Sequence, residues 1–171
     1  MKWVIWILAI FLLLTVSDGI FININSLPVV PSILLILCTT ALILGDHLEA
    51  WLIMIVSGIF LDFASGLPDG IMLTSILLAA LFVYVVVNWF LAKEFNIPIL
   101  FLSVGLMTFL FIVFSLALVK IYSFLQPIEI DYSYILLNKL FWYIMINLIL
   151  TYPIYLYFNL INRLAFRVSK R

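Results

Sequence analysis

The sequence predicts an all-α, polytopic integral membrane protein: one transmembrane domain over residues 1–171, built as a bundle of about six spanning helices. Hydrophobic residues make up 68% of the chain and charged residues 9%. Soluble domains have roughly 45–50% apolar and 25% charged residues, so lipid must solvate much of this surface. Charge-free apolar runs of about 20 residues, the length of a membrane span, recur along the chain. Most polar residues fall between these runs.

The first two apolar segments lie before Gly45. Residues 3–22 form the first, which a short polar loop separates from the second. Pro28 and Pro31 mark the first turn of the second helix, where a missing N–H group costs nothing. This segment ends at Gly45, and glycine is the preferred residue after a helix C-terminus. We therefore expect Pro28, Pro31 and Gly45 to act as structural helix starts and caps.

Turns and charges divide the rest of the chain into four further segments. These are residues 48–61, 70–92, 95–119 and 140–162. The third segment is short, so it either tilts or is embedded without fully crossing the membrane. The sixth contains Pro153, which predicts a kink. A short basic C-terminal tail follows the sixth segment.

The distribution of charge predicts the orientation of the chain. Six spans place both termini on one side, together with these basic residues: Lys2, Lys93, Arg163, Arg167, Lys170 and Arg171. The opposite side has Lys120 and Lys139 as its only basic residues and collects these acidic residues: Asp18, Asp62, Asp69, Glu129 and Asp131. The positive-inside rule puts both termini in the cytoplasm and the protein in the cytoplasmic (inner) membrane. We expect the basic tail to contact anionic lipid headgroups.

The turn between the third and fourth segments holds the most informative polar residues. They are Gly58, Asp62, Gly66, Pro68, Asp69 and Gly70. An aspartate at a helix centre costs about 2.5–3.5 kcal/mol, so we expect Asp62 at the outer end of its helix, accepting backbone N–H groups of the turn. Gly66 is expected to take a positive φ, and Asp69 either to cap the fourth segment or to favour the positive dipole end of that helix. Two interpretations stay open: a rigid charged turn without chemistry, or a docking element for another protein.

Several classes of function are disfavoured by composition. The net charge of zero provides no basic surface for nucleic acid. The single Cys38 forms neither an intrachain disulfide nor a zinc site. His47 and Glu49 are two residues apart, so on a helix they diverge rather than converge on a metal ion. Asp46 and Asp62 flank the third segment and lie at opposite membrane faces, so they cannot form a catalytic pair of aspartates. We therefore predict no metal site, no cofactor and no enzyme activity.

Four polar residues lie inside predicted spans: Asn88, Asn147, Thr151 and Asn159. Such side chains commonly form hydrogen bonds between membrane helices, each contributing about 0.6 kcal/mol. We interpret them first as interhelical contacts, with the lining of a ligand cavity as the alternative.

The turn also carries a family resemblance. Its pattern is Gly58-x-x-x-Asp62-x-x-x-Gly66-x-Pro68-x-Gly70. This resembles the motif of the MreD family, membrane subunits of the bacterial rod-shape machinery. The match covers residues 28–75 and includes Pro31, which opens a leucine-rich helix, and Gly45 after it. Asp69 departs from the family pattern, which usually has an apolar residue there.

The resemblance implies a non-enzymatic membrane scaffold that supports peptidoglycan synthesis, with residues 58–70 as its partner-docking turn. The implied partners are an MreC-like membrane protein and the elongation complex, which includes MreB, a penicillin-binding transpeptidase and RodA. It also implies a six-helix fold similar to the substrate-binding subunits of energy-coupling-factor transporters. That shared size and helix count leaves an alternative function open, namely a membrane subunit that binds a vitamin-type small molecule for transport.

Overall fold

Five α-helices form the described part of the protein. A computed structural model describes residues 32–45, 47–65, 67–90, 96–125 and 137–169. The helices are α1 (Ile33–Leu44), α2 (His47–Ser65), α3 (Ile71–Phe90), α4 (Ile97–Leu125) and α5 (Leu137–Ser169). All regular secondary structure within these residues is helical, which confirms the predicted all-α class. The first apolar segment, Pro28, Pro31 and Gly66 lie outside the described residues.

Three of the five helices are long and apolar enough to cross a membrane. The qualifying stretches are Ile71–Trp89, Ile97–Leu125 and Lys139–Ile161. The apolar parts of α1 and α2 are shorter. The chain thus has the composition and helix lengths of an integral membrane protein, while the full set of six spans stays a prediction.

The short helix α1 lies at the centre of the described bundle. It contacts each of the other four helices, while α2, α3 and α4 each also pack against the helix that follows in the chain. Every residue of α1 from Ile33 to Leu42 is buried. A helix that is apolar around its whole circumference needs such an enclosed position. The hydroxyl groups of Thr39 and Thr40 fit there because each donates to a carbonyl four residues earlier in α1.

Gly45 ends α1, as predicted. Its N–H group donates to the carbonyl oxygen of Ala41 at 2.8 Å. Its backbone is extended, with φ −91° and ψ 172°, rather than left-handed. A Cβ atom at this position would lie 2.6 Å from the Ala41 oxygen. Close backbone approach, rather than a positive φ, therefore makes glycine necessary here.

Helices α4 and α5 extend beyond the predicted apolar segments. Helix α4 continues to Leu125 instead of ending at residue 119, and it includes the exposed Lys120. Helix α5 starts at Leu137 and continues to Ser169, so the predicted tail at residues 163–169 is helical. A long cationic side chain can lie on a helix surface with its charge in water. Charged residues mark the ends of the apolar runs in the sequence, but both helices continue past these residues.

Aromatic contacts mark how consecutive helices align. Trp51 of α2 meets Tyr84 of α3 edge to face, with ring centroids 6.5 Å apart. Phe82 of α3 and Phe114 of α4 lie 5.7 Å apart. Since α2 and α3 are joined by residues 66–70, the turn lies at one end of this pair, and Trp51 and Tyr84 lie towards the other.

Candidate functional site

The turn between α2 and α3 is closed by the side chain of Asp62. This half-buried residue lies in the last turn of α2. Its Oδ1 atom accepts the N–H group of Met72 at 2.7 Å, and Oδ2 accepts the N–H group of Leu73 at 3.2 Å. A carboxylate is favoured at a helix N-terminus because unpaired N–H groups and the helix dipole make that end positive. Asp62 thus caps α3 from the neighbouring helix. Its predicted pairing with backbone N–H groups is confirmed, although these groups belong to the first turn of α3 rather than to the connecting turn.

The other N–H groups in the first turn of α3 are also paired. Ile71 donates to the carbonyl of Pro68 at 3.3 Å, and Thr74 donates to that of Gly70 at 2.9 Å. With Met72 and Leu73 bound by Asp62, the first four N–H groups of α3 all have partners. No N–H group is left for Asp69, whose side chain is exposed. The prediction that Asp69 caps α3 is therefore wrong, whereas a favourable interaction of Asp69 with the positive end of the helix dipole stays a prediction.

Gly70 is the described residue that gives the turn its left-handed backbone. Its φ is +91°, and no atom lies within 4 Å of where a Cβ would be. The bond from Ile71 to Pro68 makes Gly70 the third residue of a four-residue turn, the position where type II turns need a positive φ. The sequence Pro-Asp-Gly at residues 68–70 is typical of a turn and could have predicted this one. The positive φ was instead expected at Gly66, which lies outside the described residues.

Ser65 makes a contribution that the sequence analysis missed. Its hydroxyl donates to the carbonyl oxygen of Asp62 at 3.1 Å and accepts the N–H group of Leu67 at 3.2 Å. Serine commonly bonds nearby backbone groups in this way at turns. Ser65 thus connects the end of α2 to the chain that leaves it. We refer to residues 62–73 as the elbow.

Gly58 sets the distance between the two helices of the elbow. A Cβ atom built on it would lie 2.5 Å from Cδ1 of Leu73 and 3.0 Å from Cα of the same residue. Gly58 precedes Asp62 by one helical turn, so both face α3. The glycine lets the backbones approach, and the aspartate then reaches the N–H groups of α3. The spacing Gly-x-x-x-Asp therefore describes one packed face of α2.

Among the side chains of the elbow that the structure describes, two are exposed and therefore available for contact with another molecule. Phe63 is 84% exposed, and Asp69 is exposed on the turn itself. Neither takes part in the backbone hydrogen bonds that close the elbow.

A second polar contact joins three helices through Asn147. This residue of α5 is fully buried, and its Oδ1 atom accepts the N–H group of Ser32, just before α1, at 3.1 Å. Its Nδ2 atom donates to the hydroxyl of Thr108 in α4 at 3.2 Å. Thr151 donates to the carbonyl of Asn147 within α5. These bonds confirm that Asn147 is an interhelical contact.

The other predicted amides are less enclosed than Asn147. Asn88 is exposed and Asn159 is half-buried. The described residues contain no group of three or more side chains suited to hold a metal ion. Asp46 and the side chains of His47 and Glu49 lie outside that description.

Ser57, next to Gly58, differs from the other buried hydroxyl residues. Its side chain lies beside the Cys38 thiol of α1, yet the oxygen has no hydrogen-bond partner of good geometry. Because a thiol is only a weak hydrogen-bonding group, the Ser57 hydroxyl is left without a good hydrogen bond. By contrast, Ser75, Ser103 and Ser115 each donate to a carbonyl four residues earlier.

The site is thus an elbow closed by side-chain-to-backbone hydrogen bonds, with a buried amide joining three helices elsewhere in the bundle. Comparisons with protein-family models, curated proteins and solved structures found no match for this chain.

Proposed function

We propose that this protein is a non-enzymatic membrane scaffold of the bacterial cell-shape machinery that binds an MreC-like membrane protein. In this role it supports peptidoglycan synthesis by the elongation complex with MreB, a penicillin-binding transpeptidase and RodA. It lies in the inner membrane with six spans, both termini in the cytoplasm and the elbow on the opposite side. The observation that carries the proposal is that Gly58, Asp62 and Gly70 of the MreD-like motif each have a stereochemical role in the elbow or in the helix packing beside it.

The stereochemistry of the motif supports a structural use. Gly58 permits close helix packing, Asp62 caps α3, and Gly70 supplies a positive φ. Such requirements depend on residue identity, so a family built on this elbow would share the pattern. The stereochemical roles of these three residues support the proposal.

The hydrogen bonding of Asp62 supports a scaffold rather than a catalyst. Both carboxylate oxygens accept backbone N–H groups of α3. A general base or nucleophile must direct an oxygen towards a substrate. The carboxylate of Asp62 instead binds α2 to the N-terminus of α3.

Rigidity of the elbow supports a docking role. Helix packing at Gly58 and the bonds of Asp62 and Ser65 order the backbone that carries the exposed Phe63 and Asp69. A surface that is already ordered loses less conformational entropy when a partner binds. An exposed aromatic side chain and an exposed carboxylate on one elbow offer the partner both an apolar contact and a charge.

Co-purification from native membranes tests the proposal. The tagged chain is solubilised in mild detergent, and co-purifying proteins are identified by mass spectrometry. We expect an MreC-like protein in the wild-type sample, with less of it for Phe63→Ala and Asp69→Asn. Because both side chains lie outside the hydrogen bonds of the elbow, these variants should keep the wild-type melting temperature. Loss of the partner then reports on docking rather than on folding.

Trp89→Ala is the matched control. Trp89 is 80% exposed, like Phe63, but lies at the end of α3 farthest from the elbow. It should retain the partner. Absence of any MreC-like protein from the wild-type sample would overturn the proposal. Saturable binding of a vitamin to the purified protein would favour the transporter alternative instead.

A further inference from the structure

We draw no further inference here: the strongest candidate, the uncharged groove on the outer face of α4 and α5 beside Gly105 and Leu148, is an apolar surface for which nothing in the described part of the structure shows what covers it.

Discussion

The carboxylate of Asp62 lies 2.7 Å from the amide nitrogen of Met72, although the two residues are ten positions apart and belong to different helices. A cap usually comes from the residue immediately before a helix. Here it comes from the preceding helix, so one side chain both satisfies the start of α3 and fixes α2 against it.

Replacing Asp62 should destabilise the protein more than replacing the other acidic residue of the elbow. Asp62→Ala leaves two N–H groups of α3 without their acceptor, and we expect a loss of about 1.5–3 kcal/mol. Asp62→Asn keeps one acceptor oxygen and should lose roughly half as much. Asp69→Asn, at an exposed position, should stay within about 0.5 kcal/mol of wild type. Thermal unfolding in detergent measures all three, and equal midpoints for the Asp62 and Asp69 variants would contradict the cap.

Adding one methyl group at Gly58 should force α2 and α3 apart. The new Cβ would lie 3.0 Å from the Cα of Leu73, so backbone as well as side chain must move. We expect Gly58→Ala to cost about 1–3 kcal/mol, as overpacked cores do. Gly105→Ala is the control, because its Cβ would meet only Leu148, at an ordinary 3.8 Å. The same melting assay reports both, and a stable Gly58→Ala variant would contradict the close packing.

Gly70 should tolerate asparagine better than alanine. Its φ of +91° is unfavourable for residues with a Cβ, although space for the atom is open. We expect Gly70→Ala to cost about 1–2 kcal/mol and Gly70→Asn less, because asparagine adopts left-handed conformations more readily. Unfolding midpoints of the two variants decide the point. Equal stability of Gly70→Ala and wild type would mean that the turn has another conformation.

Loss of the Asn147 amide should loosen the start of α1. Asn147→Leu removes the acceptor for Ser32 and the donor to Thr108, and we expect a cost of about 1–3 kcal/mol. The hydroxyl of Thr108 still donates to the carbonyl of Val104. In a double-mutant cycle, Thr108→Val should couple to Asn147→Leu by about 0.6–1.7 kcal/mol. Asn88→Leu serves as the control because Asn88 is exposed. A coupling energy of zero would argue against the hydrogen bond between Asn147 and Thr108.

Ser57→Ala should leave stability unchanged or raise it by about 0.5–1 kcal/mol. The buried hydroxyl lacks a good hydrogen-bond partner, so its removal eliminates a desolvated polar group. Alanine also has the higher helix propensity. Ser75→Ala is the comparison, because its hydroxyl donates to Ile71 at 2.6 Å. A marked loss of stability in Ser57→Ala would show that the contact with Cys38 is worth more than a weak thiol bond.

Sequence reasoning placed the helices well but misplaced some of their ends. Apolar composition and turn residues located α3 within one residue of its start at Ile71. The charge of Lys120 predicts that the fifth apolar segment ends at residue 119, yet α4 continues to Leu125. Hydropathy responds to where a chain leaves lipid, whereas a helix ends where its hydrogen bonding stops. The two boundaries differ wherever a cationic side chain reaches water from a helix surface.

The sequence by itself determined the helical class, the membrane-like composition and the position of the elbow, because these follow from local composition and turn chemistry. Tertiary structure decided which groups pair. The choice of Asp62 over Asp69 as the cap depends on how closely α2 approaches α3 at Gly58. The bond from Asn147 to Ser32 joins residues 115 positions apart. Such pairings depend on how the helices pack, and no local pattern encodes them.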